Sequence, residues 1–265
     1  KPGPIGRLSG DIEAIAKEYV DKMERQGGEC DFVKEISLLY PLRVTMSIIG
    51  VAVEEEALML KLTQELFGGA DPNQARGEGV EDGLAVLMDF FNYFVALVEE
   101  RKTNPKDDLA TLLATALVDG EPMEQLDQIS YFIIAATAGH DTTAATVAGG
   151  LKALIEHPQQ LEKLRANPEL YNSAAREMIR WTSPVRHMMR TTTQDEVFQG
   201  QQIKAGENLC LWYPAANRDD QAIDNPNAFD IERDNKNQLA LGFGGHMCLG
   251  QHLAILEVEL FFREL

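Results

Sequence analysis

Within the stretch Leu241-Gly242-Phe243-Gly244-Gly245-His246-Met247-Cys248-Leu249-Gly250, Cys248 is the side chain best placed for chemistry. The glycines allow positive φ angles and close approach of the backbone to a flat ligand. Cys248 stands where this loop gives way to an apolar helical pattern, and a helix start favours the thiolate, the reactive and metal-binding form of cysteine. The competing reading is a buried, inert cysteine beside a glycine-rich turn. Zinc fits poorly, because His246 and Cys248 have no second pair of ligands nearby. Earlier in the chain, Ala138-Gly139-His140-Asp141-Thr142-Thr143 sets an acid and hydroxyls into an apolar run. Glycine inside a helix costs about 1 kcal/mol relative to alanine, and a threonine hydroxyl bonding back to a carbonyl one turn earlier bends the helix. A kink carrying Asp141 and Thr142 as a proton relay is one reading; a satisfied core hydroxyl beside a surface charge is the other. Glu177 and Arg180 share a helical face, a spacing at which most pairs are solvated and contribute only about 0.3–0.5 kcal/mol.

The elements that must position these groups follow from periodicity and caps. Ile12, Ile15, Ala16, Tyr19 and Met23 line one helical face that ends at Gly27-Gly28. A short extended piece is predicted from Cys30 to Val33, then a helix opened by Pro41 and closed by Gly50, and another from Glu54 to Phe67 ended by Gly68-Gly69. The polar stretch 70–79 is predicted to be a loop. Leu84, Leu87, Met88, Phe91, Val95 and Val98 form an apolar stripe on a helix reaching about Lys102, as core or as the roof of a ligand site. A helix over Asp107 to Leu117 leads to a tight turn at Val118-Asp119-Gly120-Glu121. One long helical segment then spans Met123 to Glu156, followed by helices opening at Pro158 and Pro168. Val185 to Thr193, Val197 to Ile203 and Asn208 to Tyr213 read as a small hairpin region with turns at Gly200 and Gly206. A weakly regular stretch containing Arg218 and Phe229 to Arg233 precedes the cysteine loop.

At 265 residues, 45% hydrophobic and 25% charged, the chain has the balance of a globular protein able to bury a large core. The 42 acidic against 24 basic residues give a formal charge of -18. That argues against nonspecific binding to nucleic acid or anionic membranes, while a local basic patch for an acidic partner stays open. The cysteines, Cys30, Cys210 and Cys248, are odd in number and far apart, which suggests no disulfide framework and a cytoplasmic location. No apolar run is long enough to cross a bilayer, and the first residues do not form a signal peptide. The chain lacks an initiating Met and ends inside the apolar pattern of Phe261 to Leu265, so truncation at both termini is expected.

In this order, Ala138-Gly139-His140-Asp141-Thr142, Glu177 to Arg180, Phe229 to Arg233 and Gly244-Gly245-His246-Met247-Cys248-Leu249-Gly250 resemble the cytochrome P-450 family of haem-thiolate monooxygenases. Pro105-Lys106-Asp107-Asp108 and the wording from His246 to His252 are similar to soluble bacterial members that hydroxylate terpenes. The resemblance implies a mainly α fold with a small β region, incomplete here, forming a single partial domain over 1–265. Its helical part covers about 9–181, a small β and meander part about 182–240, and the ligand loop with its following helix about 241–265. It also implies haem b between the Met123 to Glu156 helix and the helix beginning near Leu249. Cys248 would be the axial iron ligand, the whole protein ligation that such an iron takes. His246, Arg190, Gly139, Gly244, Gly250 and Phe243 would contact the cofactor, with Arg190 and His246 facing its propionates. Asp141 and Thr142 would feed protons to bound dioxygen. Ala135, Ala138, Val185, Met188 and Met189 would line the substrate pocket, and Glu177, Arg180 and Arg233 would form a buried structural network. The implied reaction inserts one oxygen atom of O2 into a C–H bond of a small hydrophobic substrate. Electrons would come from NAD(P)H through a reductase and an iron-sulfur ferredoxin.

The chain departs from the family pattern at Leu241, where a Phe is usual, seven residues before the cysteine. Two rival functions remain open. A peroxygenase on the same scaffold would use peroxide and leave the Asp141 and Thr142 relay without a task. A cofactor-free helical binding module would leave Cys248 without one.

Overall fold

The computed structural model describes residues 6, 8–27, 29–68, 74–77 and 79–265. Its ordered elements are mainly helices, and the strands are confined to two-stranded ribbons. The chain divides into two compact units, Gly28–Ala144, and Lys1–Gly27 together with Ala145–Leu265. Among the described residues no helix is long and apolar enough to cross a membrane.

Helix α1 (Ser9–Arg25) belongs to the second of these units and buries Ile12, Ala16, Tyr19 and Val20, close to the predicted face. In the unit Gly28–Ala144 the first element is a π-helical turn, Phe32–Ser37, where an extended piece is predicted. Asp31 accepts from the Lys34 N–H at 3.1 Å while Glu35 accepts from the Asp31 N–H at 2.9 Å. This reciprocal cap draws the segment into a helix. Helix α2 (Leu39–Ile49) has Pro41 in its first turn and ends at Gly50 in the left-handed conformation, as the sequence suggests. A 3-10 turn, Val53–Glu55, leads into α3 (Glu56–Phe67). Half of the polar loop predicted over 70–79 lies outside the described residues. Within the described part, Arg76 pairs with Glu65 and Asp89.

Helix α4 (Val80–Thr103) corrects the predicted stripe: Val86, Phe90, Phe94 and Val98 are buried, whereas Leu84, Leu87 and Met88 are exposed. The helix is apolar on more than one side, and ring packing chooses between the faces. Phe94 stacks on Phe132 at 4.8 Å between centroids and on Phe90 at 6.0 Å, contacts that add about 0.5–1.5 kcal/mol each beyond burial. Helix α5 (Leu109–Ala114) is shorter than predicted. Asp108 caps it by accepting from the Thr111 N–H at 2.8 Å, and beyond its end the chain enters β1 (Leu117–Val118) and β2 (Glu121–Pro122). Asp119 and Gly120 both have positive φ, as the tight antiparallel turn predicted there requires.

The long helix expected from Met123 to Glu156 is two helices, α6 (Gln125–Ala138) and α7 (Asp141–Glu156). Side chains compete for the i−4 carbonyls at the break: the Thr137 hydroxyl takes Ile133 O, the His140 Nδ1 faces Ala136 O, and the Thr142 and Thr143 hydroxyls take Ala138 O and Gly139 O. Four such contacts in seven residues carry the bend expected of back-bonding to a full interruption. Close approach fixes Gly139 there, since a Cβ would lie 2.7 Å from Thr45 Oγ1 and 2.9 Å from the Ala135 carbonyl.

Past α7 come α8 (Pro158–Ala166), a 3-10 turn Pro168–Leu170, and α9 (Tyr171–Thr182). Buried residues of α9, Met178 and Ile179 among them, join the core of the unit formed by Lys1–Gly27 and Ala145–Leu265 with α11 (Gln251–Glu264), which contributes Ile255, Val258, Leu260, Phe261 and Phe262. Strands β3 (His187–Thr191) and β6 (Asn208–Trp212) pair antiparallel with His187 opposite Trp212, while β4 (Glu196–Phe198) and β5 (Gln201–Ile203) form a hairpin around Gly200. A single turn, α10 (Tyr213–Ala216), follows β6. The predicted β region is therefore present as two separate ribbons.

Candidate functional site

The loop before α11 is shaped by two residues in left-handed conformations, Gly242 at φ 77° and Gly244 at φ 61°. Gly242 is the stricter, because a Cβ there would stand 2.6 Å from the His246 carbonyl. The chain then folds back so that the Cys248 N–H donates to Leu241 O at 2.7 Å, with Gly244–His246 as a 3-10 turn between them. Leu241 thus braces the cysteine through its backbone, whatever its side chain. Cys248 is a free, exposed thiol three residues before α11 begins, so it precedes the helix rather than lying within it.

The surroundings of Cys248 suit a flat apolar group. Phe243 is 77% exposed and Leu249 94%, an uncommon presentation for two large apolar side chains flanking one thiol. A Cβ at Gly244, Gly245 or Gly250 would meet nothing within 4 Å. Among the described residues no group of three or more His, Cys, Asp or Glu converges as a metal cage, and the donor this loop offers is the single Cys248 sulfur. That fits haem ligation. Arg190, on β3, is half-buried and donates to Met189 O at 2.8 Å. His246 closes the 3-10 turn and is exposed. Val185 is half-buried, and Met188 and Met189 are about half exposed. The two methionines oppose Leu211 and Cys210 across the ribbon. Neighbours on a strand point to opposite faces, so they cannot both line one wall.

Glu177, Arg180 and Arg233 are brought together. Glu177 and Arg180 have no exposed surface, and Arg180 donates from Nε and Nη2 to the two Glu177 oxygens at 2.7 Å. Its remaining donors reach the carbonyls of Asn217 at 2.7 Å and Pro226 at 2.9 Å. Arg233 adds a 3.3 Å contact and the Asp230 N–H donates to Glu177 at 2.9 Å. Every charge is answered, and removing one member would cost about 3–5 kcal/mol by stranding the others. This arrangement ties α9 to the irregular stretch before the cysteine loop, where the Asn217 side chain receives the Leu239 N–H at 2.6 Å. Arg218 lies over the Trp181 ring at 5.2 Å. Burial holds its guanidinium below the usual arginine range, helped by the Arg180 and Arg186 charges.

In the unit Gly28–Ala144, the break between α6 and α7 gathers Ala135, Ala138, Gly139, Asp141 and Thr142. Ala138 is exposed and Ala135 half-buried. The Asp141 side chain is 42% exposed and its Oδ1 stands 3.1 Å from Nε2 of the fully buried His140. Sequence reasoning named Asp141 and Thr142 but gave neither His140 nor Thr63 a role. Thr63 Oγ1 lies 3.3 Å from the same Nε2. His140 is visible in the motif, whereas Thr63, 77 residues away, is a tertiary neighbour that local pattern does not reveal.

Comparison with known proteins places these features. The cytochrome P450 family model matches residues 80–265. Cytochrome P450-terp of Pseudomonas sp is 40% identical over 273 residues, covering 100% of this chain and 64% of its own length. A steroid C26-monooxygenase of Mycolicibacterium smegmatis is 35% identical, over 98% of this chain and 63% of that protein. The crystal structure of CYP108D1 from Novosphingobium aromaticivorans superposes with a TM-score of 0.90 at 42% identity, across 100% of this chain and 62% of that one. The chain thus spans a little under two thirds of the length of each.

Proposed function

This chain belongs to the cytochrome P450 family, and from that membership we propose that it acts as a haem-thiolate monooxygenase, inserting one oxygen atom of O2 into a C–H bond of a small hydrophobic molecule. The observation that carries the reading is Cys248: a free, exposed thiol held by a left-handed glycine loop and flanked by exposed Phe243 and Leu249. Bound haem b would supply the oxygen-activating redox chemistry, with electrons from NAD(P)H through a reductase and an iron-sulfur ferredoxin. The chain's own residues hold, orient and feed protons.

Cys248 would ligate the iron as thiolate, its donation favouring O–O cleavage. The backbone bond from the Cys248 N–H to Leu241 fixes the loop that presents the sulfur, and Gly244, Gly250 and Phe243 would lie against the macrocycle. Arg190 and His246 would offset the propionate charges, and Gly139, whose Cβ side is filled by Thr45, would offer its backbone to the cofactor. Asp141 and Thr142 would deliver protons, an acid at the first turn of α7 with a hydroxyl beside it. Ala135, Ala138, Val185 and one of the two methionines would meet substrate. Similarity to P450-terp supports a terpene-sized molecule, and the steroid C26-monooxygenase marks the larger hydrophobic alternative. Spectral titration with a monoterpene alcohol against a sterol separates these.

The test of the central claim is the spectrum of the ferrous carbon monoxide complex after haem loading, with Cys248→Ser alongside. A strongly red-shifted Soret band that vanishes in the variant is expected. A loaded protein whose band is unshifted, or unchanged in Cys248→Ser, overturns thiolate ligation.

A further inference from the structure

His140 is wholly buried at the α6–α7 break, and each of its ring nitrogens faces oxygen. Nδ1 lies 3.1 Å from the Ala136 carbonyl, which can only accept, so Nδ1 carries a hydrogen. Nε2 lies 3.3 Å from Thr63 Oγ1 and 3.1 Å from Asp141 Oδ1. The one hydroxyl hydrogen of Thr63 can serve Leu60 O at 2.9 Å or Nε2 at 3.3 Å, but not both. When it serves Leu60 O, with Nδ1 already a donor, a bare Nε2 opposes lone pairs on both oxygens beside a fully buried ring, an arrangement buried polar groups avoid. A proton in the contact between Nε2 and Oδ1 removes that opposition and leaves the Thr63 bond to Leu60 O in place. It sits on the ring as imidazolium against carboxylate, or on Asp141 as carboxylic acid against imidazole, and the proton count is the same.

We propose that His140 and Asp141 share this proton, and that His140 is the positioning residue that keeps the acid loaded and turned toward the buried ring between turnovers. Its consequence for turnover rests on the monooxygenase reading above. Asp141 leaves the contact as the protonated acid and gives its proton to the reacting oxygen by way of Thr142. His140 stays behind as the neutral Nδ1–H form. Asp141, 42% exposed, regains a proton from water and returns to Nε2. One proton leaves and one enters per cycle, with no redox change at either residue.

The test uses the chain labelled with nitrogen-15 at its five histidines, the His140 signals being assigned by their loss in His140→Gln. At neutral pH the wild-type Nε2 resonance is expected in the proton-bearing or hydrogen-bonded range. In Asp141→Asn it should move toward a bare, imine-like position while the hydrogen stays on Nδ1. A bare Nε2 in the wild type, or His140 resonances unmoved by Asp141→Asn, overturns the proposal, and neither result depends on haem. In the haem-loaded enzyme with its electron donors, His140→Gln should lower product per nicotinamide oxidised by roughly tenfold, below the 10²–10⁴ range of a direct acid because it acts through Asp141. The Asp141→Asn and His140→Gln double variant should lose no more than Asp141→Asn alone; additive losses would overturn the shared proton. Failure of the carbon monoxide signature would remove the enzymatic reading while leaving the nitrogen measurement decisive for the pair.

Discussion

Thr142 and Asp141 are adjacent, yet different groups restrain them. The Thr142 hydroxyl reaches the Ala138 carbonyl at 3.3 Å, a long bond that a hydroxyl can exchange for a better acceptor. Asp141 is engaged with His140. Thr142→Ala should therefore leave folding nearly intact while diverting electrons to peroxide, with product per nicotinamide falling by roughly tenfold or more, and Thr142→Ser should retain most of the yield. Unchanged coupling in Thr142→Ala would reduce the hydroxyl to a helix-bending group. At this scale the sequence was informative where chemistry is local. A cysteine after Gly244-Gly245-His246 and an acid beside a hydroxyl announce themselves by residue type and spacing. What it did not reveal was the Thr63 contact with His140, which exists only because α3 is folded against the helix break. Gly242, with its steric constraint from the His246 carbonyl, lay within the quoted loop but was indistinguishable there from its neighbouring glycines.

Among the elements, α7 and α9 meet through small residues. A Cβ at Gly149 would run into the Thr182 methyl, and one at Gly150 would stand 2.7 Å from Met178 Sδ. Methionine can swing aside, whereas Thr182 is held by its hydroxyl bond to Met178 O at 2.7 Å. Gly149→Ala gains helix propensity of about 1 kcal/mol but should still lose about 1–2 kcal/mol net, because overpacking a fixed contact costs about 1–3 kcal/mol. Adding Thr182→Ser removes the methyl, and the next Thr182 atom is at an ordinary 3.5 Å, so the double variant should match or exceed wild type in a denaturant melt. Stability of the double no better than that of Gly149→Ala would place the strain elsewhere. Helix ends marked by proline or glycine, such as α2 at Gly50 and α8 at Pro158, were legible because backbone chemistry sets them. The buried face of α4 was not. Leu84, Leu87 and Met88 are as apolar as Val86 and Phe90, and only stacking on Phe132 from another helix selects the inner side. The break between α6 and α7 was foreseen as a bend, but its extent depends on several hydroxyls and an imidazole acting together.

For the molecule as a whole, a formal charge of -18 sets the response to pH and salt. Like-charge repulsion at neutral pH disfavours the compact state, and the surface pairs that salt would weaken contribute only about 0–1 kcal/mol each. Added salt should therefore stabilise the chain at pH 7. Burial pushes the Glu257 carboxyl well above the usual range. A raised carboxyl pKa means that the folded state binds the extra proton, so its contribution is full below about pH 4.3, the unfolded value, and is lost as pH rises. Asp108 behaves in the opposite sense. Burial works to raise its pKa, but the Thr111 N–H and the Arg101 guanidinium outweigh it and hold the carboxyl below the usual range. Its contribution is present above about pH 3.9, the unfolded value, and disappears as pH falls through the folded value. Repulsion and Glu257 thus favour acid, and Asp108 limits how far acid helps. The melting temperature should pass through a maximum between neutrality and about pH 4, with salt raising it more at pH 7 than at the maximum. Each kcal/mol gained should appear as about 2–4 °C. Asp108→Asn should remove part of the fall on the acid side while lowering the plateau by about 1.5–3 kcal/mol, the contribution of a charge-assisted hydrogen bond. A melting temperature that rises steadily from pH 5 to pH 8, or falls when salt is added at pH 7, would show that attractive pairs outweigh the net charge.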